Sequence, residues 1–287
     1  MNENSFYGPI PPSLFSISSI QVITLRGNAL SSQLPIDMCK HSLHNLRLLR
    51  LSFNKLYGEI PSSLGRCSSL ELLSLYNNSL VGEVPKEIGN LTQLTQLFLG
   101  FNSLTGNIPK EIGYLNNLEM LSMASTGFNG SIPKEIGNMT SLQSIFLDNN
   151  ALSGAIPEEI GQLDNLLTLS MDFNKLMGVL PSTFSNMSSV NYISLSHNIL
   201  NGTLPREIGN MKALQQLYLI NNTLTGVIPE EIGELDELIR LYLSSNKFIG
   251  HLPPSIFNMK SLAELSIYKN DLSGILSSIL CKYQELK

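Results

Sequence analysis

One recurring spacing limits what this chain can fold into. Asn78, Asn102, Asn150, Asn174, Asn198, Asn222, Asn246 and Asn270 are separated by 24 residues or a multiple of 24, in units that follow the frame L-x-x-L-x-L-x-x-N-x-L-x-G-x-I-P with Val or Leu at times in place of Ile and Ser277 in the last proline slot. The stretch Leu94 to Pro109, LTQLFLGFNSLTGNIP, shows the frame complete. A unit this short cannot enclose a core alone and buries its apolar side against its neighbours, so a solenoid is expected. These ruler asparagines fix the slot of every other residue.

Alternation sets the local structure. In LTQLFLGFN, Leu97 and Leu99 alternate with Phe98 and Gly100, a period of two, so a short strand with leucines inward is expected. Strands of successive units then pair in parallel. Asn102 follows the strand and is expected to satisfy its carboxamide on backbone groups of its own and the adjacent turn, forming a ladder. Proline recurs after Ile, Leu or Val, and marks the point where the chain leaves the strand and turns. The EIGNL segment beyond it is too short for a long helix and is expected as a 3-10 or single-turn element on the outer face. The predicted fold class is an α/β-type solenoid: an arc or superhelix with a parallel concave β-sheet, short 3-10 or irregular outer segments, and about 11 repeats of 24 residues.

The domain reading is a single repeat domain over 1–287: a partial repeat at 1–19, repeats over 20–276, the start of a further repeat at 277–287, and both caps missing. Two irregularities stand out. The step from Asn28 to Asn54 is 26 residues, with the extra two falling in CKHSLHN around Lys40 to His44. Thr126 replaces the ruler asparagine in one unit.

Charge and composition exclude several classes. The net charge is −5 with no cluster of Lys and Arg, which argues against a nucleic-acid partner. No stretch approaches the roughly 20 continuous apolar residues of a membrane span, and the first residues lack the pattern of a signal peptide. The acids Glu87, Glu111, Glu135, Glu159, Glu207 and Glu231 repeat beside Lys86, Lys110, Lys134 and Arg206, a solvated surface row, so no metal is assigned. His41, His44, His197 and His251 recur at no spacing that gathers them with a nucleophile. No catalytic motif and no cofactor are read.

Cys39, Cys67 and Cys281 are an odd number in no metal spacing, and neither a zinc site nor a disulfide framework can be read from them. Cys67 falls in the slot of Leu91, Leu115 and Met139 and is expected as a small core hydrophobe. Cys39 and Cys281 stand where other repeats carry Gly89 or Gly161, and their role stays open.

The frame with its I-P pair, and the wording EIGNL, EIGYL and EIGNM, resembles the plant-type extracellular leucine-rich repeat, in particular the ectodomains of plant receptor-like serine/threonine kinases of the pattern-recognition branch. That resemblance implies a ligand-recognition ectodomain on the outer side of the plasma membrane, signalling in defence or development. It also implies a co-receptor leucine-rich-repeat kinase and a kinase domain in the parent protein, with membrane attachment only through parts outside this chain. A kinase-lacking receptor-like protein, or a secreted inhibitor of cell-wall-degrading enzymes, is the alternative.

Ligand contacts are expected where the core does not dictate the residue. The outward slots of the strands carry Phe98, Phe101, Phe146, Asp148, Asp172, Phe173, Tyr192, Tyr218, Tyr242 and Tyr268, with Ser194, His197 and Ile220 among them. Rings on an exposed sheet face mark a binding patch for a peptide or protein. Eleven strands about 4.8 Å apart give a track of roughly 50 Å, enough for an extended peptide of about 15 residues. Some members of the family hold a free peptide carboxylate with an R-x-R pair; here Arg26, Arg50 and Arg240 stand singly, which disfavours a carboxylate-terminated ligand. Glycosylation sequons occur at Asn77, Asn90, Asn129, Asn138, Asn186, Asn201 and Asn221.

Overall fold

The computed structural model describes residues 3–39 and 43–274. They divide into two compact units, Met1–Ala151 and Leu152–Lys287. Cys281 and the expected further repeat at 277–287 lie outside the described residues.

The first unit contains six parallel sheet strands: Val22–Thr24, Leu48–Arg50, Leu72–Ser74, Gln96–Phe98, Met120–Ser122 and Ser144–Phe146. The second contains five: Thr168–Ser170, Tyr192–Ser194, Gln216–Tyr218, Arg240–Tyr242 and Glu264–Ser266. Each residue pairs with its counterpart one coil away, as Leu73 with Leu97 and Leu217 with Leu241. The alternation explains the strand. Leu97 and Leu99 are fully buried, while Phe98 between them is half-buried on the sheet face. A coil also buries Leu94, Leu104, Ile108, Ile112 and Leu115, and each such side chain contributes about 1.5–3 kcal/mol. Truncating Leu97 to Ala would cost about 2–5 kcal/mol.

The asparagine ladder takes the expected form. Asn78 donates to the carbonyls of Leu51 at 3.1 Å and Leu75 at 3.0 Å and accepts from the Leu56 N–H at 3.0 Å, tying two coils with one side chain. Thr126 makes only part of this pattern. Its hydroxyl donates to Asn150 Oδ1 at 2.6 Å and lies 3.3 Å from the Met123 carbonyl. A hydroxyl has one proton where a carboxamide has two, so Thr126 cannot donate fully to both acceptors at once.

The segments after most of the repeat prolines are 3-10 helices, for example Lys86–Asn90, Lys110–Tyr114 and Arg206–Asn210, whereas the one after Pro35 is a turn. Between sheet and 3-10 helix the chain forms a second, lateral set of parallel strands not anticipated from the pattern. In the first unit these include Ser79–Glu83, Ser103–Asn107 and Gly127–Asn129; in the second, Lys175–Gly178 pairs with Ile199–Leu200. Gly106 lets the lateral strand bend: its φ is +77°, and a Cβ there would lie 2.7 Å from the Glu83 side chain.

The cysteines require a correction. Cys67 is fully buried in the slot of a core aliphatic, as its position implied, but it is not a free thiol: it is disulfide-bonded to Cys39, with a Cα–Cα distance of 5.3 Å. The reason lies in the glycine slot that Cys39 occupies. At Gly113 in that slot, a Cβ would collide with the Glu135 backbone oxygen of the next coil. A side chain there points straight at the neighbouring coil. Cys39 meets this with a left-handed φ of 59° in a turn rather than a 3-10 helix, and its sulfur reaches Cys67.

Candidate ligand-binding face

The sheet face is built from the slots six, four, two and one before each ruler asparagine. The slot just before the ruler has an unexpected backbone. Phe53, Asn77, Phe101, Ser125, Asn149, Phe173, His197, Asn221, Ser245 and Lys269 all have φ between 53° and 56°. Asparagine and glycine tolerate that region; for phenylalanine it costs of order 1 kcal/mol or more. Phe53, Phe101 and Phe173 are nevertheless held there and remain 40%, 47% and 51% exposed.

In the first unit the rings gather at the early coils. Phe53 and Tyr76 lie with ring centroids 5.4 Å apart, and Tyr76 and Phe101 at 5.0 Å; the Arg26 guanidinium sits 5.1 Å from the Phe53 centroid. Burial against these rings pushes the Tyr76 phenol above its ordinary value. Phe53 and Tyr76 were missed in the sequence reading, although they occupy the same slots as residues it singled out. Phe98 and Phe146 are half-buried beside small neighbours: their register partner between them is Ser122. Asp148 accepts through its backbone carbonyl from the Ser125 N–H at 2.8 Å.

In the second unit Tyr192, Tyr218 and Tyr242 form a ladder with centroids 5.6 Å and 4.9 Å apart. Phe173 stacks flat on His197 at 4.1 Å, and His197 Nδ1 lies 3.1 Å from the Asn221 carboxamide nitrogen. Tyr268 is exposed, with Lys269 Nζ 5.9 Å from its ring centroid. Polar groups here are tied to one another. Asp172 accepts from the Ser194 hydroxyl at 2.7 and 2.6 Å and from the Ser196 N–H at 2.5 Å. Arg240 pairs with Glu264 at 3.0 Å and donates to Gln216 at 3.1 Å, and the Tyr242 hydroxyl donates to Glu264. That hydroxyl, with Arg240 second, holds the Glu264 carboxyl below the usual range, while the same contact pushes the Tyr242 phenol up.

All seven sequon asparagines are exposed. Asn90, Asn138 and Asn186 end 3-10 helices on the outer side. Asn129 ends a lateral strand and Asn201 lies against one, whereas Asn77 and Asn221 sit in the left-handed slot on the sheet face.

Comparison with known proteins follows the same lines. Residues 5–147 match the model of a leucine-rich repeat region; residues 164–224, and then 141–163 and 237–259, match models of the leucine-rich repeat. Among solved structures, the plant peptide hormone receptor RGFR1 in complex with RGF2 is 31% identical over all of this chain and 50% of that one, with a TM-score of 0.86. The ectodomain of the membrane receptor kinase GASSHO1/SCHENGEN3 from Arabidopsis thaliana, in complex with Casparian strip integrity factor 2, is 34% identical over 99% of this chain and 36% of that one, with a TM-score of 0.85. The leucine-rich-repeat protein LIC12759 of Leptospira interrogans is 30% identical over 99% and 74%, at a TM-score of 0.71. The chain spans half or less of either receptor chain. The repeat models, the parallel strands and these relatives agree, and the chain belongs to the leucine-rich-repeat proteins, with plant receptor-kinase ectodomains among its structural relatives.

Proposed function

We propose that the chain is the ligand-recognising part of a plant cell-surface receptor-kinase ectodomain, and that the sheet faces of its units bind extended peptide or protein segments. The observation that carries this is the set of phenylalanines kept exposed in a left-handed slot, where the fold alone would favour glycine or asparagine. Phe98, Phe101, Phe146, Phe173, Tyr192, Tyr218, Tyr242 and Tyr268 supply apolar contacts. Asp148 contributes charge, and Asp172 acts as a positioning residue because its carboxylate is already engaged by Ser194 and Ser196.

Two further features support placement outside the cell. The Cys39–Cys67 disulfide belongs to an oxidising compartment, and the exposed sequons fit a secreted route. One plant relative named above is a peptide hormone receptor in complex with RGF2 and the other is in complex with Casparian strip integrity factor 2; the reading extends a peptide or protein ligand class to this chain. It also includes recruitment of a co-receptor kinase and signalling in defence or development.

The test is affinity capture of peptides from plant cell-wall fluid by the secreted chain, read by mass spectrometry. The double variant Phe146→Ala and Tyr218→Ala should lose the captured peptides at an unchanged thermal midpoint. Equal capture by both proteins, or none above a scrambled-bead control, would overturn the reading.

A further inference from the structure

Charge on the sheet face is distributed unevenly, and one slot comparison shows what the uneven part fits. In the second unit, Asp172 projects its carboxylate onto the following coil, where the Ser194 hydroxyl and the Ser196 N–H donate to it. Asp172 stands two residues before its ruler asparagine, Ser194 four before and Ser196 two before theirs. The same slots in the first unit hold Ser52, Ser74 and Tyr76.

There the donors are present and the carboxylate is not. Ser74 repeats Ser194, and the Tyr76 N–H repeats the Ser196 N–H. Among the described residues neither the Ser52 nor the Ser74 hydroxyl has a hydrogen-bond partner, and the Tyr76 N–H has no acceptor. Both serines are small and sunk into the face, 5% and 9% exposed, so they floor a notch. Their neighbours are basic and aromatic. Arg50 is the register partner of Ser74, and Arg26 precedes Ser52 in the same slot one coil earlier, since the Gly27 N–H donates to the Ser52 carbonyl at 3.0 Å. Arg50 is exposed and has no ion-pair partner among the described residues. On the other side stands the Phe53–Tyr76–Phe101 ladder.

We propose that the notch formed by Arg26, Arg50, Ser52, Ser74 and the Tyr76 N–H binds the carboxylate of an Asp or Glu side chain in an extended peptide. The Phe53–Tyr76–Phe101 rings then take an apolar or aromatic residue of the same peptide. Ser52 and Phe101 lie two coils apart, about 10 Å, which separates the two peptide residues by two or three positions. Hydroxyl and amide donors orient the carboxylate and the two guanidiniums supply charge, the combination that makes hydrogen bonds to anions strong. This inference rests on the peptide-binding reading above and sharpens it.

The experiment uses the whole chain and two random decapeptide bead libraries, one acetylated and amidated, the other ending in a free carboxylate. Capped binders should be enriched for Asp or Glu with Phe, Tyr or Leu two or three positions away. For the best of them, fluorescence anisotropy should show roughly tenfold weaker binding on Asp→Asn in the peptide, and a similar loss on Arg50→Gln in the protein. Ser52→Asp places a carboxylate where Asp172 carries one, and should remove the acid preference while leaving the thermal midpoint unchanged or raised. Capped binders without acid preference that are lost on Tyr218→Ala would overturn this inference and leave the peptide-binding reading standing. Binders found only among free-acid peptides would overturn the side-chain assignment. No binder in either library would overturn both.

Discussion

Asp172 in the second unit and Ser52 in the first occupy one slot of the repeat, but only Asp172 brings its own acid to the hydroxyl and N–H that follow. A parallel contrast holds for the arginines. Arg240 is paired with Glu264 and Gln216, whereas Arg50 is exposed with no ion-pair partner among the described residues. The second face therefore satisfies the Ser194 hydroxyl, the Ser196 N–H and Arg240 within the chain and presents a tyrosine ladder. The first offers donors and positive charge beside its rings. The contrast teaches that the repeat frame supplies the same backbone donor in both coils, and that at this pair the side chain one coil earlier decides whether it is used internally.

The units also differ in how they are held. The first carries the Cys39–Cys67 cross-link, which closes a sequence separation of 28 residues. On the chain-entropy account a loop of that length contributes about 3.5 kcal/mol. Cys39→Ser with Cys67→Ser should lose close to that amount in urea unfolding, with hydrogen-exchange protection falling at Leu49 and Leu73 and unchanged at Leu217 and Leu241. Equal loss in both units would show that they do not unfold separately.

A smaller effect tests the internal acid. Asp172→Ala strips the acceptor from a Ser194 hydroxyl and a Ser196 N–H that are almost fully buried, and an unsatisfied buried donor costs about 1–3 kcal/mol. The same chemical denaturation measures it. No change would mean that water replaces the carboxylate, and the comparison with Ser52 would lose its basis.

The smallest effect concerns the half-buried Glu264. Its carboxyl is held below the ordinary value first by the Tyr242 hydroxyl and then by Arg240, against desolvation. A carboxyl whose folded value is lowered adds stability that is present above the ordinary value and disappears as pH falls through the lowered one. Tyr242→Phe should raise the Glu264 value toward the ordinary one in an NMR titration. An unmoved value would remove the hydroxyl from this network.

Much of the fold was legible because each rule is local and repeated. The strand at Gln96–Phe98, the ladder through Asn102 and the 3-10 helix at Lys110–Tyr114 each follow from spacing alone. The candidate face was legible only in part. Phe53 and Tyr76 could have been found by reading the outward slots back to the earliest coils. The left-handed slot left a faint trace in Gly27, Asn77, Asn149 and Asn221, but Phe101, Phe173 and Lys269 share it and hide the pattern. The disulfide left none, because Cys39 and Cys67 differ by a number with no meaning in a 24-residue repeat.

By itself the sequence determined the period, the inward leucines, the ruler asparagines and the class of surface that results, since a period-two strand and a buried carboxamide depend only on neighbours along the chain and one coil away. The tertiary structure decided which outward residues meet. Phe173 reached His197 rather than the tyrosines, Asp172 turned to Ser194 and Ser196, and Cys39 found Cys67. Those choices depend on where each side chain points across adjoining coils, and backbone twist and rotamer set that direction, which the one-letter spacing does not contain.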